Sequence, residues 1–112
     1  MPEPKFVYRA KLQKVIDGDT CDFLVDLGFS IWAIQRVRLL GIDAPETKGI
    51  EREKGIKTKD YVRVVLKDAK EIVIETVKDK KEKYGRYLAT VYIDGKNLNK
   101  ELLERGLARK WE

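Results

Sequence analysis

Apolar and polar positions alternate along the first third of the chain, and the period then changes. Between Phe6 and Ile16, the apolar residues Val7, Leu12, Val15 and Ile16 stand among polar partners, which predicts a first strand. Asp17-Gly-Asp19 is a turn signal. From Thr20 to Leu27, the residues Cys21, Phe23, Val25 and Leu27 share one face of a second strand, with Asp19 on the same parity at its start. Gly28-Phe-Ser30 reads as a connection. Ile31 to Ile42 is expected to form a third strand, apolar on both faces, with Asp43 on the parity of Val37 and Leu39. Pro45 cannot donate to a ladder, so pairing should end near Asp43.

The pattern turns helical further on. Lys48 to Lys54 is polar and reads as a loop. Gly55 to Lys67 then carries Tyr61, Val62, Val65 and Leu66 as a stripe, with Thr58 one turn earlier. Ala69 to Val77 is expected to be a fourth strand. Lys78 to Tyr84 is a charged connection, and Tyr87 to Ile93 a fifth strand leaving through Asp94-Gly95. A last helix spans Leu98 to Arg105, apolar at Leu98, Leu102 and Leu103, and stopped by Gly106. Leu39 and Val91 are expected in the core. Five strands, a helix between the third and fourth, and a short C-terminal helix predict a five-stranded OB-fold barrel, one domain over residues 1–112.

Composition narrows the chemistry. There is no histidine among the 112 residues, which excludes His-based nucleases, zincins and Ser-His-Asp hydrolases. Cys21 is the single cysteine, so neither an intramolecular disulfide nor a Cys-rich zinc site is open to the chain. Any metal would have to be held by oxygen, as calcium, magnesium or manganese are. The formal charge of +5 favours a polyanionic partner without demanding one. No apolar run approaches membrane-spanning length, and Met1-Pro-Glu-Pro-Lys5 has no signal-like core. The expectation is a soluble intracellular monomer without membrane contact, or a secreted one had a leader been removed.

At the end of the third strand, Arg38, Asp43 and Glu46 gather around Pro45. Packing does not require carboxylates at a strand end. They read either as a solvated acidic turn or as a metal and phosphate site at the mouth of a rigid strand. In the same way, Asp17 and Asp19 read as an ordinary Asp-Gly turn or as further acids at that mouth. Arg86 could simply pair with Glu82, and Lys83 be solvated.

Three motifs in order bear on the choice. Val15-Ile-Asp-Gly-Asp-Thr20, Arg38-Leu-Leu-Gly-Ile-Asp-Ala-Pro-Glu-Thr47, and Lys83-Tyr-Gly-Arg86 followed by Ala89-Thr-Val-Tyr-Ile-Asp-Gly95 resemble the staphylococcal nuclease (thermonuclease) family, and Val15 to Ala108 can be matched in order. The resemblance implies an OB-fold and a calcium-dependent phosphodiesterase acting on DNA and RNA, single strands preferred. It implies metal ligation by Asp19, Asp43 and the backbone carbonyl of Ala44, with Asp17 bonding water around the metal. Arg38 and Arg86 would grip the scissile phosphate, Glu46 would be the general base, and Lys83 and Tyr84 would contact a neighbouring phosphate.

The chain departs from the family's best-known member in three ways. Alanine stands at position 44 in place of threonine, the loop after Glu46 is shorter, and Trp111-Glu112 falls short of a tyrosine-bearing segment and a third helix. The missing tyrosine contacts bear on substrate affinity and stability, while the metal and arginine constellation is complete. The alternative is a non-catalytic OB-fold module binding single-stranded nucleic acid or another partner, with Trp32, Tyr87 and Tyr92 as stacking platforms. Glu46-Thr-Lys48 also matches the E-x-K of restriction-type nucleases, but it enters a polar loop where that motif needs a buried strand.

Overall fold

A computed structural model describes residues 6–81 and 85–111, for 78–81 the backbone alone. Strand β1 (Phe6–Asp17) pairs antiparallel with β2 (Thr20–Asp26), and β2 with β3 (Trp32–Leu39). After β4 (Ile42–Asp43) and a 3-10 turn at Gly49–Glu51 comes helix α1 (Arg52–Asp68). Strands β5 (Ile72–Lys81) and β6 (Tyr87–Ile93) follow, then β7 (Lys96–Asn97), α2 (Leu98–Glu104) and β8 (Arg109–Lys110).

The main sheet runs β3-β2-β1-β5-β6-β7, and a parallel pairing of Val37–Leu39 with Tyr87–Ala89 brings β3 back to β6. That pairing closes the five long strands into a barrel and leaves those segments without an open edge. The fold is therefore the expected mainly-β OB barrel with two helices. Phe23, Val37, Leu39, Ile74, Val91, Leu98 and Leu102 fill it, with Val62 and Leu66 of α1 packed against them. Leu39 and Val91 are fully buried, as the alternation requires.

The expected third strand is not continuous. It breaks after Leu39, where Gly41 takes a φ of +81°, a conformation L side chains rarely adopt. Beyond that bend Ile42 and Asp43 pair with Lys110 and Arg109, so the chain's end supplies a strand that no hydrophobic pattern announces. The ambiguity of the two apolar faces of β3 resolves in space: Val37 and Leu39 enter the core, and Trp32 and Ile34 face outward. Helix α1 begins one turn earlier than expected, at Arg52, and takes in part of the expected loop. The expected fourth strand starts later, at Ile72, and runs on to Lys81. Leu27, expected on the face of Phe23 and Val25, is exposed. Helix α2 is capped by the Asn97 side chain, which accepts from the Lys100 amide at 3.0 Å, and it ends before Gly106 as expected.

Candidate active site

One turn and one bend bring the acids together. The tight turn from β1 to β2 carries Asp17 and Asp19, and the Leu40-Gly41 bend turns the chain so that Asp43, Ala44 and Glu46 come back beside it. Arg38 sits on β3 directly opposite Thr20 on β2 and Leu88 on β6, which fixes it between both neighbours. One cleft of about 550 Å³ is lined by Asp17, Asp19, Arg38, Asp43, Ala44, Pro45, Glu46, Arg86, Leu88 and Trp111. Of the residues singled out in the sequence, seven therefore share it. Lys83 and Tyr84 lie outside the described residues.

Asp19 is nearly buried, and its carboxylate is held at both oxygens. Oδ1 accepts from the Thr20 hydroxyl at 3.0 Å and Oδ2 from the Ala44 amide at 3.0 Å. The second bond ties the Asp-Gly turn to the Ala44 loop, 25 residues apart in sequence. Asp43 is more open. Its Oδ1 lies 3.5 Å from Arg38 Nη2, and its Oδ2 accepts from Arg109 Nε at 3.2 Å. The same Nη2 of Arg38 is 3.5 Å from Asp19 Oδ2, so two carboxylates face one point. Arg38 Nη1 donates to the Ile42 carbonyl at 3.1 Å, and the Trp111 ring covers the guanidinium at 5.1 Å. Arg86 Nη1 reaches the Thr20 hydroxyl at 3.3 Å, so Thr20 stands between Asp19 and Arg86. Thr47 donates to Asp17 at 3.5 Å, and Glu46 stands exposed at the rim.

Helix α1 is the floor under the β1–β2 turn and the Ala44–Glu46 loop, and it fits because two residues lack side chains. A Cβ on Gly18 would lie 2.6 Å from Thr58 Cγ2 and 2.9 Å from Ala44 Cβ. A Cβ on Gly55 would lie 2.1 Å from the Glu46 carbonyl oxygen. Thr58 in turn donates to the Leu107 carbonyl at 2.6 Å, fastening the C-terminal segment to the same floor. Asn99 performs the corresponding task behind the site. It is buried, donates to the carbonyls of Leu40 and Ala89, and accepts from the Val91 amide. These supports, together with Arg109 and Trp111, escape a reading based on periodicity.

The donor set is oxygen-rich and sparse. Among the described residues no group of three or more His, Cys, Asp or Glu side chains could hold a metal ion. A cation at this point would have to draw on a backbone carbonyl as well as Asp19 and Asp43, which suits a hard ion with flexible coordination. A smaller hollow of about 200 Å³ lies among Tyr8, Val25, Gln35, Val37, Thr76 and Tyr87 and contains no acid or guanidinium. The three candidate stacking aromatics do not form one platform. Tyr87 lines that hollow, Trp32 is covered by Lys11 at 5.1 Å, and Tyr92 donates to Glu75 at 3.4 Å.

An OB barrel with carboxylates and arginines converging at one mouth defines an acid-and-guanidinium site of the kind that suits phosphate chemistry. The family model described as staphylococcal nuclease homologue matches residues 36–112, and the chain belongs to that family. It is 35% identical to the uncharacterized protein MJ1439 of Methanocaldococcus jannaschii, over 91% of this chain and 58% of that protein. It is 36% identical to the endonuclease YncB of Bacillus subtilis, over 94% of this chain and 49% of that protein. Against the thermonuclease of Staphylococcus hyicus identity is 34%, over 88% of this chain and 57% of that protein. The chain thus spans roughly half the length of these relatives.

Proposed function

We propose that this chain is a calcium-dependent nuclease that hydrolyses phosphodiester bonds of DNA and RNA. The observation that carries the reading is the meeting of Asp19 and Asp43 at a single guanidinium nitrogen of Arg38, in a cleft that Arg86 and Glu46 also line. Calcium fits the oxygen donors present, and Asp19, Asp43 and the Ala44 carbonyl are the groups to hold it. When bound, the ion supplies Lewis acidity to a non-bridging phosphate oxygen.

The protein's own residues supply the rest. Arg38 and Arg86 approach the phosphate with planar forks that each address two oxygens, and they oppose the charge that grows on it during attack. Glu46, exposed at the rim on a loop after Pro45, takes the proton of the attacking water. Asp17, paired with Thr47, orders water beside Asp19. The relatives named endonuclease and thermonuclease support this reading.

The test is digestion of single-stranded DNA in calcium, in magnesium and in EDTA. Calcium should support cleavage, magnesium should support it poorly, EDTA should stop it, and Glu46→Ala should be nearly inactive. Asp43→Ala should lose calcium binding in calorimetry. Strand binding by the wild type without cleavage in any metal would replace the enzyme with the binding-module alternative. Unchanged calcium affinity in Asp43→Ala would remove the ligand assignment.

A further inference from the structure

Helix α1 does more than floor the cleft. Arg52, Lys59, Arg63 and Lys67 fall within roughly 80° of arc on one flank of it, at 3.6 residues per turn. This flank is not the buried one, which is made of Gly55, Thr58, Val62 and Leu66. Nor is it the flank that meets α2, where Tyr61 donates to Glu101. It borders β1, where Lys67 and Lys70 line a shallow groove with Ala10, Lys11 and Leu12. The stripe starts beside the cleft, because Arg52 lies one turn before the residue whose backbone touches Glu46. It ends about 22 Å further along the axis, the rise of some six nucleotides of one duplex strand.

Its charge is hardly neutralised. Among the described residues the one ion pair along it is Arg63–Asp60 at 3.0 Å, within the helix and exposed, so worth little. Lys59, Lys67 and Lys70 make no ion pair with a described carboxylate. Fold stability gains nothing from crowding like charges on one flank, since neighbouring cations repel. A polyanion laid along the groove reverses that repulsion, and cations aligned on a helix form the footprint of a nucleic-acid backbone.

We propose that this flank of α1, with Lys70, is a phosphate track that holds the part of a nucleic-acid strand lying outside the cleft. The inference rests on the nuclease reading for what enters the cleft, while the track itself requires only a polyanion. It gives affinity that depends on strand length and on salt but not on base sequence.

The test uses the whole chain, fluorescence anisotropy without calcium, and labelled oligothymidylates, a tetramer and a hexadecamer, across a salt series. The triple variant Lys59→Gln/Lys67→Gln/Lys70→Gln is compared with Lys57→Gln/Lys96→Gln/Lys100→Gln, which loses the same charge on other surfaces. The track predicts that the first variant binds the hexadecamer on the order of tenfold more weakly, and that its log–log salt slope is shallower by about 2, the loss of three single-strand contacts. Tetramer binding and the control variant should change little.

Several results overturn the track: a hexadecamer affinity and slope equal to wild type, an equal loss in the control, or a wild type that binds tetramer and hexadecamer alike. Retained hexadecamer binding with lost binding to phosphatidylserine vesicles would make the flank a membrane surface and also overturn it. Failure of the nuclease reading registers separately, as absent cleavage of both oligonucleotides by wild type in calcium, and leaves the anisotropy result intact.

Discussion

The backbone of Gly55 rests directly on the carbonyl of Glu46: a Cβ on the glycine would stand 2.1 Å from that oxygen and 2.8 Å from the carbonyl oxygen of Pro45. In an ordinary helix, replacing an interior glycine by alanine stabilises by roughly 0.5–1 kcal/mol. Here the clash is with backbone, so Gly55→Ala should instead destabilise, by about 1–3 kcal/mol. The loop that yields carries the exposed Glu46 carboxylate. A displacement near 1 Å costs on the order of 10²-fold in rate, so kcat should fall with little change in KM. Urea midpoints and steady-state kinetics measure the two effects. A more stable, fully active Gly55→Ala would show that the floor does not position Glu46.

Asn99 holds the bend that delivers Asp43. Replacing it by alanine leaves the Val91 amide and the Leu40 carbonyl without their side-chain partner, while the Ala89 carbonyl keeps the Leu40 amide at 2.8 Å. Each orphaned buried group costs roughly 1–3 kcal/mol, so Asn99→Ala should lose about 2–6 kcal/mol in urea unfolding. A loss below about half a kcal/mol would mean that water replaces the amide at no cost.

The barrel was legible because burial writes itself into the sequence. Cys21, Phe23 and Val25 alternate as β2 demands, and Val62 and Leu66 recur with the helical period. Asp19, Asp43 and Arg38 were legible for another reason, since their spacing around Gly18 and Pro45 recurs in a known family. The supports were not legible. Asn99 is one polar residue on a short helix, and only its three partners on β6 and the Leu40 bend reveal its role. Gly55 looked like a helix start and proves to be a contact surface. Strand β8 is Arg109-Lys110, two exposed cations that no hydrophobic periodicity marks, and its pairing exists only because the Gly41 bend exposes the Ile42–Asp43 edge.

Cys21 makes stability depend on alkaline pH. The thiol is fully buried in the barrel, and burial, reinforced by the neighbouring Asp19, Asp22 and Asp17 carboxylates, pushes its pKa from 9.0 up to about 12. Between those values the unfolded chain releases the proton and the folded one retains it. The folded state then binds more protons, so stability is fully present below pH 9 and falls as pH rises from 9 toward 12. The first full unit above pH 9 should remove roughly 1 kcal/mol. Urea unfolding of wild type and Cys21→Ala at pH 8 and pH 10 isolates the thiol from the lysines and tyrosines common to both. The alanine variant should be less stable at pH 8, by its small cavity, and should lose less on going to pH 10. Parallel losses in the two proteins would place the thiol in contact with solvent.

Replacing Arg86 tests whether catalysis and attraction separate. In the structure it reaches toward the Thr20 hydroxyl, the same hydroxyl that donates to Asp19, and this links the guanidinium to the carboxylate side of the cleft. If it opposes charge that develops during attack on phosphorus, its contribution is larger in the transition state than in the bound substrate, and its loss lowers turnover more than affinity. Lysine retains the charge but not the fork, so Arg86→Lys should not rescue the site. Turnover should fall on the order of 10²-fold or more, the scale of removing one preorganised electrostatic group. Single-strand affinity should fall far less, because the lysines outside the cleft still attract the backbone. Single-turnover cleavage and anisotropy on one oligonucleotide measure both quantities. Equal proportional losses of rate and affinity would make Arg86 a binding residue, with the transition-state charge left to Arg38 alone.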